Sequence, residues 1–176
     1  MSHHPDMRGF SLIELMIVLA LLAIAVGIAI PNFARLVANN QIEAQAQTLN
    51  SLLQFARSQA IVRRTSVRLS KAEATSAAPN PAWIVTNVSD GTVLRQEQLN
   101  PEHATTLSSF APGDAKAEIQ LTFTSAGTVE EAAELTICRD DNEAFAYRIS
   151  VQRSGNTRLL PRGKNADGTS LQDCTP

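Results

Sequence analysis

The sequence predicts an α+β fold: one long N-terminal helix, membrane-spanning and then amphipathic, packed on an antiparallel β-sheet domain of about seven or eight strands. Three observations carry this. Residues 10–30 are an apolar run with a single charge. From Asn32 to about Arg63, apolar residues recur mostly at spacings of three and four. After Ser66 the period changes to short strand-like segments separated by Gly, Pro, Asn and Ser.

The apolar run comes first. It reads from Phe10 through Leu-Ile-Glu14 to Ile30. A helix of that length spans roughly 30 Å, the thickness of a bilayer core. The run is too long for the apolar part of an ordinary secretory signal, and no small-x-small cleavage site follows it. Arg8 lies on its N-terminal side, so the positive-inside tendency keeps that end cytoplasmic and puts the C-terminal domain outside the inner membrane. Glu14 is anomalous, because a carboxylate in a spanning helix costs about 3 kcal/mol on insertion scales. It either snorkels to the nearby interface or meets a positive charge on another chain. Pro31 removes a helix donor, and either kinks and loosens the helix or ends the span.

The amphipathic segment follows, over residues 31–64. Its stripe comprises Phe33, Leu36, Ile42, Ala46, Leu49, Leu53, Ala56 and Ala60, widened late by Leu52, Phe55 and Ile61. Asn39, Asn40, Gln41, Glu43, Gln45 and Gln47 lie on the other side. Arg63 and Arg64 suit the negative pole of the helix end.

Strands are expected in the domain at residues 65–176. Val67–Leu69 is a short one, and residues 70–82 read as a loop. Trp83–Val88 and Thr92–Leu99 form a hairpin around Ser89-Asp90-Gly91. Asn100–Lys116 reads as a second loop, containing His103. Ile119–Thr124, Thr128-Val129, Leu135–Arg139, Ala144–Val151 and Thr157–Leu160 complete the set, with a turn at Ser154-Gly155-Asn156.

Composition narrows the function. The chain has 176 residues and a formal net charge of −2, which suits one ordinary domain and argues against a protein built mainly to bind nucleic acid. Catalytic material is sparse. Beyond the N-terminal pair His3 and His4, His103 stands alone. Glu130-Glu131 and Asp140-Asp141 are adjacent pairs whose side chains point apart. Neither a Gly-rich phosphate loop nor a G-x-S-x-G elbow occurs. The expectation is therefore no enzyme, no cofactor, no metal and no small-molecule substrate. Cys138 and Cys174 match no zinc spacing. In an exported chain two cysteines favour one disulfide over two buried thiols. Such a bridge would close a loop of about 37 residues, worth roughly 3–4 kcal/mol in the chain-entropy model.

The stretch Arg8-Gly9-Phe10-Ser11-Leu12-Ile13-Glu14-Leu15, with the apolar helix and Pro31 behind it, resembles the class III signal of type IV pilins and type II secretion pseudopilins. The resemblance implies a leader over residues 1–9, cut by prepilin peptidase between Gly9 and Phe10, and methylation of the new amino terminus at Phe10. It implies that residues 10–30 anchor the chain and that Glu14 meets the amino terminus of a neighbouring subunit. It links Pro31 to local melting of the helix in a fibre. A small residue such as Gly9 suits a chain bound in extended form by a membrane protease.

The strand order resembles the GspH/FimT branch of minor pilins, which includes FimU-like and pseudopilin H-like proteins. Leu135-Thr136-Ile137-Cys138-Arg139 and Arg148 to Gly155 carry that likeness. Implied partners are other major and minor pilins or pseudopilins, prepilin peptidase and the inner membrane, with the globular domain in the periplasm and later in a pilus or pseudopilus fibre. The Ile30-Pro31-Asn32-Phe33 junction leans toward the pilus side. DNA is a second partner to weigh. Arg153, Arg158, Arg162 and Lys164 are basic, and no acid occurs from Gln152 to Ala166. Some FimT-like minor pilins bind DNA through a Gly-Arg-x-Arg motif here. This chain has Gly155-Asn156-Thr157-Arg158, with Asn156 in place of the first Arg, so a solvated basic hairpin is the competing reading.

Overall fold

The computed structural model describes residues 11–72, 82–99, 103–109, 119–140 and 142–174. The expected leader, Gly9 and Phe10 lie outside them. The first element is a single helix, α1 (Leu12–Arg63). The chain divides into two units, one ending at Asn39 and one beginning at Asn40.

In the first unit the apolar side chains of α1 point outward all round. Leu12, Ile17, Leu22 and Ile28 are each more than half exposed. Pro31 does not break the helix, which runs through it. The helix therefore does not end at Pro31. A proline costs the ladder one bond, here the one to the Gly27 carbonyl, and the turns on either side keep theirs. Asn32 Nδ2 adds a bond to the Ile28 carbonyl at 3.1 Å.

In the second unit α1 becomes one-sided. Ile42, Gln45, Ala46, Leu49, Leu52, Leu53, Ala56 and Ala60 are buried, at spacings that keep them on one face. Ile61, placed in the stripe by its sequence, is about half exposed. The helix stops at a Schellman turn. Arg64 takes a left-handed φ of 53°. Thr65 N–H then reaches the Ala60 carbonyl and Arg64 N–H the Ile61 carbonyl. Arg64 thus caps the helix through its backbone, while Arg63 Nε donates to Gln59 Oε1 at 2.9 Å.

Eight strands follow: β1 (Val67–Ala72), β2 (Ala82–Asn87), β3 (Val93–Gln98), β4 (His103–Ser109), β5 (Gln120–Phe123), β6 (Ala133–Arg139), β7 (Tyr147–Val151) and β8 (Thr157–Leu159). They form two four-stranded antiparallel sheets, ordered β3-β2-β1-β5 and β4-β6-β7-β8. One core joins them to α1. Leu49, Leu53 and Ala56 of the helix share it with Val67, Val85 and Phe123 of the first sheet and Leu135, Ile137 and Ile149 of the second.

Three local expectations change. Residues 103–109 form β4 where a loop was expected, held by seven register positions against β6. Its sequence, His-Ala-Thr-Thr-Leu-Ser-Ser, has little alternation, so the pairing partner defines the strand. The segment from Ala144 does not begin a strand. Glu143–Phe145 is a 3₁₀ turn whose cap, Asn142, accepts from Ala144 N–H. Thr128-Val129 contributes only an isolated bridge, to Phe123.

The β7–β8 hairpin is seated tightly. Gly155 has φ +75°, and a Cβ there would lie 1.8 Å from the Gly127 carbonyl oxygen. Gly155→Ala therefore combines left-handed strain with a backbone collision. We expect it to lower unfolding stability by about 3 kcal/mol, read as a shift in the urea midpoint at unchanged slope. An alanine variant within about 0.5 kcal/mol of the parent would show that the hairpin can lift off Gly127 freely.

Candidate assembly surface

The first unit presents its chemistry through exposure. The span from Leu12 is long and apolar enough to cross a membrane, and none of its apolar window is buried. Glu14 sits in the first turn. There a carboxylate is favoured by the positive pole of the helix and by amide groups without intrahelical partners. Its side chain is exposed. A surface with this composition can pack against lipid or other apolar helices, and Glu14 is its sole ionisable side chain from Ser11 to Ala34.

The second unit is built around contacts that sequence reading passed over. Arg57 Nε donates to the Gly127 carbonyl and Arg57 NH2 to the Ser154 carbonyl, both at 3.1 Å. One guanidinium thus ties α1 to two turns. Arg148 is the centre of a second cluster, on the face of the β4-β6-β7-β8 sheet away from the helix. It pairs with Glu134 at 3.2 Å, donates to Thr136 Oγ1 at 3.1 Å and donates to Asn165 Oδ1 at 2.7 Å.

That face is covered by the C-terminal tail. Cys138 and Cys174 form a disulfide, and with Ala146 and Leu171 they make a small second core. Thr106 Oγ1 donates to the Cys174 carbonyl at 3.1 Å. Gly163 N–H reaches the Ala146 carbonyl, and Leu171 N–H returns to Gly163. The tail, which reads as a loop, is a folded cover.

His103 is another correction. It is not a solvated loop residue but is 4% exposed, at the start of β4, with Nδ1 2.6 Å from Gln45 Oε1. A strand that lands on the polar side of α1 buries whatever residue begins it. Among the described residues, no group of His, Cys, Asp and Glu could hold a metal ion.

The structure separates the four basic residues. Arg162 lies over the Phe145 ring at 5.5 Å. Lys164 Nζ donates to Ser170 Oγ at 3.1 Å. Arg153, in the β7–β8 turn, and Arg158, on β8, are exposed and have no side-chain partner among the described residues.

Residues 45–155 match the model of the family described as type II transport protein GspH. That is well over half of the chain. The chain is a member of the GspH family. Residues 5–30 match the prokaryotic N-terminal methylation motif, which spans the Gly9–Phe10 junction and Glu14. The GspH chain is similar in fold to the type IV minor pilin FimU of Pseudomonas aeruginosa, with a TM-score of 0.58 and 21% identity over 77% of this chain and 96% of that one. It is also similar to the minor pseudopilin EpsH from the type II secretion system of Vibrio cholerae, with a TM-score of 0.51 and 16% identity over 73% and 99% of the two chains. No curated protein matches the sequence. Family membership makes this a structural pilin or pseudopilin, and the apolar helix with the methylation motif marks it as membrane-anchored.

Tyr147 gives this domain a pH signature. Burial, and then the charge and hydrogen bond of Glu43 on α1, push its phenol above the ordinary 10.0, with Arg162 opposing. The fold favours the neutral phenol. Its contribution to stability is complete below about pH 10 and is lost as pH climbs toward the raised value. Tyr147→Phe should flatten that alkaline loss. Urea midpoints at about pH 8 and about pH 11 would fall further apart for the parent than for the variant, and equal gaps would discount the phenol.

Proposed function

We propose that this protein is a minor pilin or pseudopilin H-like subunit, processed by prepilin peptidase, that enters or primes a type IV pilus or type II secretion pseudopilus. The observation that carries this reading is α1 itself. Its apolar first unit is exposed on every side and holds one carboxylate, Glu14, in its first turn. A helix of this kind must be covered by something other than its own domain.

The roles divide along the chain. Residues 1–9 act as a leader removed at the Gly9–Phe10 bond. Residues 10–30 span the inner membrane, residues 31–64 continue the helix, and residues 65–176 form the periplasmic domain. The disulfide supports an oxidising compartment for that domain. Cleavage places a new ammonium group at Phe10, four residues before Glu14. In a packed bundle of such helices, an ammonium and a carboxylate that meet between chains remove two uncompensated charges from apolar surroundings. Glu14 would thereby set the axial register of one subunit against the next. Pro31, which deprives the Gly27 carbonyl of its ladder partner, is where the helix would loosen if the fibre requires it.

A second reading is contact with DNA phosphates during DNA uptake. Its support is the exposed pair Arg153 and Arg158. The other two basic residues are engaged within the fold, and Asn156 stands where the likeness calls for Arg.

Two measurements test the leading reading. Intact mass of membrane-extracted protein should show loss of residues 1–9 and gain of one methyl group. Glu14→Ala should still be processed but should be at least tenfold depleted from sheared fibres relative to membranes. Incorporation of the alanine variant at parental levels would remove the register role, while an uncleaved parent mass would remove the processing.

A further inference from the structure

Strand β8 lies at the end of its sheet. Beside β8, Gln152 N–H donates to the Asn156 carbonyl at 3.0 Å, and Leu160 N–H donates to the Arg148 carbonyl at 2.8 Å. Bonding residues alternate along an antiparallel strand. Asn156, Arg158 and Leu160 therefore face β7, and the N–H and C=O groups of Thr157 and Leu159 face outward along an open edge. Proteins commonly cover or blunt such edges. Among the described residues no strand pairs with it, and Pro161 follows its far end.

A groove of about 300 Å³ runs beside it, lined by Gln54, Arg57, Ser58 and Ile61 of α1 and by Thr157. Thr157 Oγ1 is buried and finds no hydrogen-bond partner among the described residues. The groove is also rigid. Arg57 ties its helix wall to Gly127 and Ser154, and Gly155 is seated against Gly127. A preformed groove with an open strand edge and an unpartnered hydroxyl suits an extended backbone.

Charge selects the occupant. Side chains alternate across β8, so Thr157 and Leu159 face the helix and Arg158 faces the opposite side. Arg158 shares its row with Ser150 and, one strand further, Glu134. Glu134 is paired with Arg148, so it leaves Arg158 unopposed. Arg153 adds a second exposed charge at the hairpin tip. An added strand would set alternate side chains beside Arg158 and the others in the groove.

We propose that the groove between α1 and β8 binds an extended acidic segment of a partner protein, added as a strand on the open edge of β8. Backbone pairing with Thr157 and Leu159 supplies the hold, and Arg158 and Arg153 supply the preference for acid. The interface is formed within the second unit alone, so it does not depend on the membrane anchor or the fibre.

Fluorescence anisotropy on the full-length chain in detergent tests this. The probe is a labelled pool of peptides of about ten residues, alternating Glu or Asp with Val, Thr or Ser. A matched pool carries Lys in place of the acids. The acidic pool should bind saturably, with the basic pool at least about tenfold weaker. Arg158→Glu should weaken the acidic pool about tenfold while keeping the parental melting temperature. Arg153→Glu, in the exposed turn, serves if the first variant does not fold. N-methylation of every second peptide amide should abolish binding in one of the two registers. Absence of saturable binding by the acidic pool, equal binding of both pools, indifference to the charge reversals, or indifference to N-methylation in both registers would overturn the proposal. So would a single-stranded oligonucleotide that binds more tightly than the acidic pool and loses affinity in the same variants, which would assign the arginines to nucleic acid.

Discussion

A helix cannot bury apolar side chains that point in every direction against a single neighbouring layer. That constraint organises the rest of the molecule. Up to Val37 the large apolar residues of α1 are exposed around its whole circumference, and from Ile42 onward one face alone is buried. Backbone hydrogen bonding is the same in both parts, since a helix satisfies its own amides and carbonyls wherever it lies. What changes is the demand on the surroundings. The first part needs an apolar environment that surrounds it. The second needs one wet side and one dry side, which two antiparallel sheets provide.

The sheet containing β6 is closed on both faces, and this explains a strand whose polar positions are buried along with its apolar ones. Leu135 and Ile137 enter the common core, and Thr136 and Cys138 lie under the C-terminal tail. A tail with few apolar residues cannot hold such a position through burial alone. It is held by a covalent bond at Cys138, a short apolar contact through Ala146 and Leu171, and the side chain of Asn165 on Arg148. Arg148 is costly to place under a cover unless it is fully bonded. Glu134 and Thr136 meet that requirement from β6 and Asn165 from the tail, so the tail and the sheet stabilise one another.

Much of this was legible in the chain itself. The apolar run, the three-and-four spacing from Ile42 to Ala60 and the glycine turns at Gly91 and Gly155 are local signals, and local signals survive without knowledge of the fold. Membership of the pilin class rested on one such stretch, around Gly9, Phe10 and Glu14. The failures were non-local. Strand β4 has no pattern of its own and exists because β6 pairs with it, so His103 read as a loop residue. Arg148, Arg57 and Gln45 acquire their partners 12 to 97 residues away. No spacing rule announces such contacts. The contacts of the basic residues are equally invisible to a charge count: of the four close in sequence, Arg162 lies over a ring and Lys164 donates to a hydroxyl.

The separation of that patch bears directly on what the hairpin can recognise. Binding to a phosphate backbone gains from each counterion released, with a salt dependence of about 0.7 to 0.9 per phosphate neutralised. Two arginines without side-chain partners would by themselves give a shallow dependence and weak binding, unless Arg162, Lys164 or a neighbouring subunit supplies more positive charge. Pairing along a strand edge draws on another source, since each backbone bond is fixed in direction and independent of salt. The backbone groups of Thr157 and Leu159 face outward, while those of Arg158 between them bond to β7. The same three residues thus offer directional bonding and one charge, a combination suited to an acidic strand and poorly matched to a polyanion that must be gripped by charge alone.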